Sequence, residues 1–283
     1  MKIITKIRSL REAIRKIKLE RKTIGFVPTM GALHNGHLSI IRKARKENDL
    51  VVVSIFVNPV QFGPKEDYLK YPRNLKKDAG LCKREGVDII FYPDVKEMYP
   101  AGYKTYVVVE DLGNVLCGRF RPGHFRGVAT VVTKLFNIVL PDIAYFGQKD
   151  AQQAIIIKRM VYDLNIPVKI KVMPIIRERD GLAMSSRNIY LNEKERKDAL
   201  CLYQAINKAR ELINQGKTES QKIINKMGDI IKSKRNAKID YISIVDLENL
   251  RPVKRIQNRV LVALAVWFGK TRLIDNIILK RYV

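Results

Sequence analysis

Cysteine is scarce in this chain. There are three in 283 residues (Cys82, Cys117 and Cys201), an odd number, far apart and with no CxxC pair. Neither a disulfide framework nor a zinc ribbon can be built from that set, and all three read as buried, inert thiols. Long hydrophobic runs are absent as well. A membrane helix needs roughly 18–20 apolar residues, whereas the longest run, Val260 to Phe268, is half that and reads as a buried strand. The opening residues, Met1-Lys-Ile-Ile-Thr-Lys-Ile-Arg, mix charge into every turn and lack the apolar centre of a signal peptide. The expectation is a soluble cytoplasmic protein with no membrane partner. HExxH and GxGxxG are missing, which leaves a zinc-hydrolase site and a dinucleotide fold without motif support. Acidic residues are outnumbered, 28 against 54 Lys and Arg, for a net charge of +26. The basic residues are scattered rather than gathered in a tail. That favours a solvated surface, part of it serving phosphate-bearing small substrates, over a nucleic-acid partner.

What is present points to a packed globular protein. Hydrophobic residues make up 46% of the chain, too many for wholesale disorder. Short β-branched runs (Thr23–Thr29, Val51–Val57, Asp88–Tyr92, Ile143–Phe146, Val168–Ile176) alternate with segments of helical period (Leu38–Glu47, Leu75–Glu85, Phe125–Val139, Ala151–Asp163). Val51–Val57 is apolar at nearly every position, as a central strand covered on both faces must be. The alternation predicts an α/β fold, a Rossmann-like doubly wound parallel sheet. The pattern changes after about residue 185. Two helices, Glu193–Gln215 and Glu219–Lys232, separated by Gly216, precede three strands, Ile239–Asp246, Val260–Trp267 and Arg272–Ile278. This predicts a larger domain over residues 1–180 and a smaller α+β domain over 181–283.

Ligands of an open parallel sheet bind where the loops leave the carboxyl ends of its strands. Those loops hold most of the candidate chemistry: Pro28 to His37, Asn58 to Gly63, Gly147 to Gln153, and Arg177 to Arg187. The turn His34-Asn35-Gly36-His37 contains two of the three histidines, at a spacing that puts both on one face of a helix start. Free backbone N–H groups and the positive helix end favour phosphate there, and Gly36 permits close approach. The rival readings are a metal pair, which lacks a third ligand, and ordinary core or capping histidines. Gly31 and Gly36 have the separation of a P-loop, but His37-Leu38 replaces its Lys-[Ser/Thr]. Lys149 and Arg187 supply fixed positive charge, Asp150 an acceptor for ribose hydroxyls, and Ser185 and Ser186 two hydroxyls on a turn. Gln61 and Gln153 are neutral amides suited to hydroxyls and a carboxylate. The stretch Arg119 to Gly127 is basic and aromatic, but its Pro122-Gly123 pair reads as a turn launching a helix.

At these residues the chain resembles the pantoate–β-alanine ligases (pantothenate synthetases), members of the nucleotidyltransferases that share an HxGH element with class I aminoacyl-tRNA synthetases. The matching stretches are PTMGALHNGH (28–37), VSIFVNPVQFGPKEDYLKYPR (53–73), RPGHFRGVATVVTKLFNIVLPDIAYFGQKDAQQ (121–153) and DGLAMSSRNIYL (180–191). The resemblance implies that ATP and pantoate form pantoyl adenylate and pyrophosphate, and that β-alanine then displaces AMP. It implies ATP contacts at Met30, Gly31, Ala32, Leu33, His34, Asn35, Gly36 and His37, at Gly147, Gln148, Lys149 and Asp150, at Ile176, and at Met184, Ser185, Ser186 and Arg187. His37, His34 and Lys149 would be catalytic, Gln61, Gln153 and Asn58 would hold pantoate, and Gln61 would also flank β-alanine. Tyr71 matches a residue near the substrates. Mg2+ would accompany ATP, with ligands the sequence does not name, and the family habit is a homodimer. The alternatives within the same superfamily are a cytidylyltransferase-like enzyme and an adenylate-forming enzyme acting on tRNA.

Overall fold

The structure is a computed structural model that describes residues 1–64 and 66–280. In chain order its elements are β1 (Lys2–Ile4), α1 (Ile7–Leu19), β2 (Ile24–Thr29), α2 (Asn35–Glu47), β3 (Leu50–Ile55), α3 (Leu75–Arg84), β4 (Ile89–Phe91) and α4 (Val95–Met98). Next come α5 (Cys117–Phe120), α6 (His124–Val139), β5 (Ile143–Gly147), α7 (Ala151–Asp163) and β6 (Lys169–Met173). The remainder are α8 (Glu193–Asp198), α9 (Cys201–Asn214), α10 (Ser220–Lys232), β7 (Ala237–Asp246), β8 (Val260–Phe268) and β9 (Thr271–Leu279).

The first six strands form one sheet in the order β1-β4-β3-β2-β5-β6, parallel throughout. The strand order reverses between β2 and β5, so the loops after these two strands flank the crevice where doubly wound sheets bind ligands. Both faces of the sheet are covered. Phe26, Val52 and Phe91 pack with Leu10, Ile14 and the apolar side of α6, whereas Val27, Val53 and Ile90 pack with Leu38, Ile41 and Ala44 of α2. That double cover is why β3 shows no polar alternation.

The last three strands form an antiparallel meander, β7-β8-β9. Strand β8 is apolar throughout because both its faces are buried. Val260, Val262, Leu264, Val266 and Phe268 join the core with α9 and α10. Leu261 and Ala263 instead meet Leu112, Cys117, Phe125 and Ile156 from the first part of the chain. All three cysteines are free and buried.

Two elements carry no expectation, and two expectations need correction. The sequence patterns above pass over β1 and α1: three residues make too short a run to register, whereas α1 carries a regular apolar stripe (Ile7, Leu10, Ile14, Ile17) at helical spacing among its many basic residues. The helix expected over Glu193–Gln215 is two, α8 and α9, with a break at Ala199 and Leu200. The strand expected to reach Ile176 ends at Met173, before Pro174.

Candidate active site

Strand β2 ends at Thr29, and the chain then turns through two left-handed residues, Gly31 (φ 82) and Ala32 (φ 51). The turn is held from below by Asp78 of α3, 2% exposed, whose carboxylate accepts from the N–H groups of Ala32 and Leu33 at 2.9 Å each. The turn delivers His34 as the N-cap of α2 and His37 one turn later. His34 Nδ1 accepts from the Gly36 N–H at 3.2 Å, and His37 Nδ1 accepts from the His34 N–H at 3.3 Å. The two rings lie 4.1 Å apart between centroids. The capping reading and the ligand-facing reading are therefore compatible: each imidazole spends Nδ1 on the helix end, which leaves Nε2 as the protonated, outward nitrogen. Burial, with Lys149 second, lowers the His34 pKa to about 4. Burial, then the neighbouring His34 and Lys149, hold His37 well below its ordinary value. Both are neutral N–H donors at neutral pH.

On the other side of the crevice, β5 ends at Gly147 and Gln148 to Asp150 form a 3-10 turn into α7. Asn276 of β9, 4% exposed, donates to the carbonyls of Gln148 at 3.0 Å and Lys149 at 2.9 Å, and accepts from Gln148 Nε2 at 3.3 Å. The C-terminal sheet thus sets the turn that carries Lys149. Asp150 bears electrostatically on His34, Tyr71, His124 and Arg187.

Beyond Pro174 the chain makes a small hairpin in which Met184 N–H donates to Ile176 O at 3.0 Å. A Cβ placed on Gly36 would lie 3.9 Å from Met184 Cβ, so this hairpin meets the histidine turn. Ser186 Oγ is 3.1 Å from Tyr71 Oη. Arg187 is not a free charge: it grips Asp67 with two bonds of 2.9 and 2.8 Å. Although burial raises the Asp67 pKa, Arg187 keeps that carboxyl below its usual range. The loop after β3 and the loop after β6 are latched together across the site.

Gln61 ends a 3-10 turn (Pro59–Gln61) pressed against the start of α6. Its Oε1 accepts from Asn58 Nδ2 at 3.1 Å and its Nε2 donates to Met30 Sδ at 3.1 Å. Asn58 is 1% exposed and makes four bonds, so its side chain stands behind Gln61 and does not line the cleft, contrary to its expected place against pantoate. Gln152 is likewise spent on the backbone of residues 112–117, whereas its neighbour Gln153 lines the cleft. The basic-aromatic stretch is a turn, with Gly123 at φ 80, and three of its polar side chains are committed: Arg121 to Glu66, His124 to the Gln61 carbonyl, Arg126 over the Tyr106 ring. Burial, with Arg121 second, lowers the His124 pKa to about 3, so it is a neutral strut.

A cleft of about 1200 Å³, lined by Lys149, Asp150, Gln153, Ser185 and Arg187 among others, extends to Trp267 and Arg272 of the C-terminal sheet. It exceeds the roughly 300–1,000 Å³ of a pocket for one small molecule. Met30 and Gly31 line a second pocket of about 210 Å³ that shares Tyr68 with the first. Sequence reasoning missed Asp67, Asp78, Tyr99, Asp275 and Asn276. A signal existed for some of them: Asp78 shares the buried face of α3 with Cys82, and Asp275-Asn276 interrupt an apolar strand.

The same arrangement of loops recurs in known proteins. The sequence profile described as pantoate-beta-alanine ligase matches residues 2–278. Pantothenate synthetases of Caldicellulosiruptor saccharolyticus and Acetivibrio thermocellus are 55% and 56% identical over 280 residues, 99% of this chain and 100% of each relative. The crystal structure of pantothenate synthetase from Thermus thermophilus superposes with a TM-score of 0.94 at 45% identity, covering 100% of both chains. A pantoate-beta-alanine ligase from Francisella tularensis, complexed with beta-gamma ATP and beta-alanine, gives 0.81 at 39% identity over 98% of this chain and 97% of that one. With the match running from the first strand to the last, and the histidine turn, the Lys149 turn and the 184–187 loop meeting at one crevice, the chain belongs to the pantoate–β-alanine ligase family.

Proposed function

We infer that this protein joins pantoate to β-alanine at the expense of ATP, as a ligase making a carbon–nitrogen bond. A carboxylate is a poor electrophile, because its charge repels an amine and its oxygen leaves badly. In the first step a pantoate carboxylate oxygen attacks the α-phosphorus of ATP and pyrophosphate departs. In the second, the β-alanine amine attacks the carbonyl carbon of pantoyl adenylate and AMP departs with the bonding pair. The residues divide between these tasks. Nε2–H groups of His34 and His37 donate to phosphate oxygens as charge gathers on them, beside the Lys149 ammonium. Met30 to His37, Gly147 to Asp150, Ile176 and Met184 to Arg187 cradle the nucleotide, with Asp150 on the ribose. Gln61 and Gln153 orient pantoate, and Gln61 also borders β-alanine. Residues 66–71 and the 184–190 loop shelter the mixed anhydride from water.

The observation that carries this reading is the pair of neutral imidazoles locked as Nε2–H donors within the field of Lys149. Among the described residues no group of three or more His, Cys, Asp or Glu stands where it could hold a metal. That suits Mg2+ brought by ATP, an ion that keeps waters and phosphate oxygens and asks for few protein ligands. A two-domain division at 180/181, a homodimer, a cytoplasmic location and the absence of a nucleic-acid partner belong to the same reading. Commitment of Arg121, His124 and Arg126 to intramolecular partners supports the last. Exchange of labelled pyrophosphate into ATP is the test. It should require pantoate and proceed without β-alanine; exchange that ignores pantoate would defeat the assignment.

A further inference from the structure

Gln61 can serve pantoate only if its amide faces the right way, since one end donates and the other accepts. Two residues, Tyr99 and Asn58, decide this. The Tyr99 hydroxyl, at the end of α4, donates to Asn58 Oδ1 at 2.9 Å, a shorter bond than the 3.3 Å one from the Val60 N–H to the same oxygen. Asn58 Nδ2 then donates to Gln61 Oε1 at 3.1 Å and to the Gly127 carbonyl at 3.1 Å. With its oxygen turned to Asn58, the Gln61 amide is set with its N–H donors toward Met30. One of them rests on Met30 Sδ at 3.1 Å, a weak acceptor that a ligand oxygen can replace at little cost. Tyr99 is itself fixed: its ring packs 6.2 Å from Phe56 and edge-on 5.0 Å from Tyr103, with the Lys134 ammonium 5.7 Å from its centroid.

We propose that Tyr99 is a positioning residue for the ligase reaction: through Asn58 it holds the Gln61 amide with its donors toward Met30, which lines the smaller pocket, so that a substrate offering oxygen acceptors is preferred there. The proposal rests on the assignment of Gln61 to pantoate. Removing the hydroxyl leaves Asn58 Oδ1 buried with only its longer bond, so Asn58 and then Gln61 lose their fixed orientation.

Tyr99→Phe should raise the pantoate KM about 3- to 10-fold, the range of a single hydrogen bond, while the ATP KM stays within twofold. Calorimetric pantoate affinities of the wild type, Tyr99→Phe, Gln61→Ala and the double variant supply the decisive comparison. The effect of Tyr99→Phe should shrink below twofold once residue 61 is alanine. An equal loss in both backgrounds, or an ATP KM rising in step with that of pantoate, overturns the relay while leaving Gln61 in its role. Wild-type affinity in Gln61→Ala overturns the assignment of Gln61 and the relay with it. Asn58→Asp gives a second route should Tyr99→Phe fold poorly. It keeps an acceptor for Tyr99 but offers no donor to Gln61 Oε1, so a folded Asn58→Asp with the wild-type pantoate KM also overturns the proposal.

Discussion

A backbone N–H can only donate, and at His34 and His37 that fact settles which ring nitrogen carries the proton. Each Nδ1 receives a backbone N–H, so each Nε2 is the N–H that faces outward, and burial keeps both rings neutral. A neutral imidazole N–H is a feeble acid but a good hydrogen-bond donor, so the role proposed for His37 is to stabilise phosphate charge more than to transfer a proton. His37→Gln, whose amide also donates, should keep adenylation within about tenfold of wild type in the pyrophosphate exchange, whereas His37→Ala loses about 10²–10³. Equal loss in the two variants would leave proton transfer standing. The same burial sets a pH dependence. An unfolded histidine binds its proton near 6.5, whereas folded His34 does so at about 4 and His124 at about 3. Between those values the unfolded chain holds more protons, so stability rises with pH there and reaches its full contribution above about 6.5. Urea midpoints should therefore fall as pH drops from 7 toward 4, and His34→Gln should flatten that slope. An unchanged slope would mean that His34 titrates normally in the folded state.

At the level of elements, Gly127 shows how local sequence and packing meet. It lies in the first turn of α6, where a Cβ would come within 2.5 Å of Val60 O and 2.6 Å of Gln61 N. Close approach here is what lets His124 reach the Gln61 carbonyl and Asn58 Nδ2 the Gly127 carbonyl. Gly127→Ala should cost about 1–3 kcal/mol of stability by overpacking and raise the pantoate KM, with the ATP KM less affected. Equilibrium denaturation and steady-state kinetics check the two halves of that expectation. The start of α6 was readable from Pro122-Gly123, and so were α2, α7 and the apolar strands β3 and β8, because their patterns have a period or a punctuating residue. The break between α8 and α9 was not, since Glu193–Gln215 contains neither Pro nor Gly and only tertiary packing divides it. The histidine turn, Lys149 and the 184–187 loop were legible as residue types at strand ends. The partners that fix them, Asp78, Asp67 and Asn276, lie 45 or more residues away from the groups they hold, a separation that periodicity does not span.

For the molecule as a whole, the C-terminal sheet is part of the site and not an appendage. Leu261 and Ala263 of β8 pack against the first sheet's elements, Asn276 holds the Lys149 turn, and Asp275 binds Arg177, at the root of the 176–187 hairpin, with bonds of 2.7 and 2.9 Å. Asp275 is 1% and Arg177 19% exposed at the side chain, so this pair is largely shielded from water and from salt. Such a pair adds little or nothing to stability over an apolar replacement, because desolvation offsets its attraction, but removing one partner strands the other charge. Asp275→Ala should therefore cost about 3–5 kcal/mol, which for a chain of this size lowers Tm by about 6–20 °C. Because the Arg177 hairpin also carries Met184 to Arg187, the ATP KM should rise in the same variant at temperatures where it remains folded. The double variant Arg177→Met/Asp275→Leu should recover much of the lost Tm, since no buried charge is left unpaired, but not the ATP KM, which depends on where the hairpin stands. Recovery of both together would mean that the pair matters only for stability, and that the second sheet supports the nucleotide loops without positioning them.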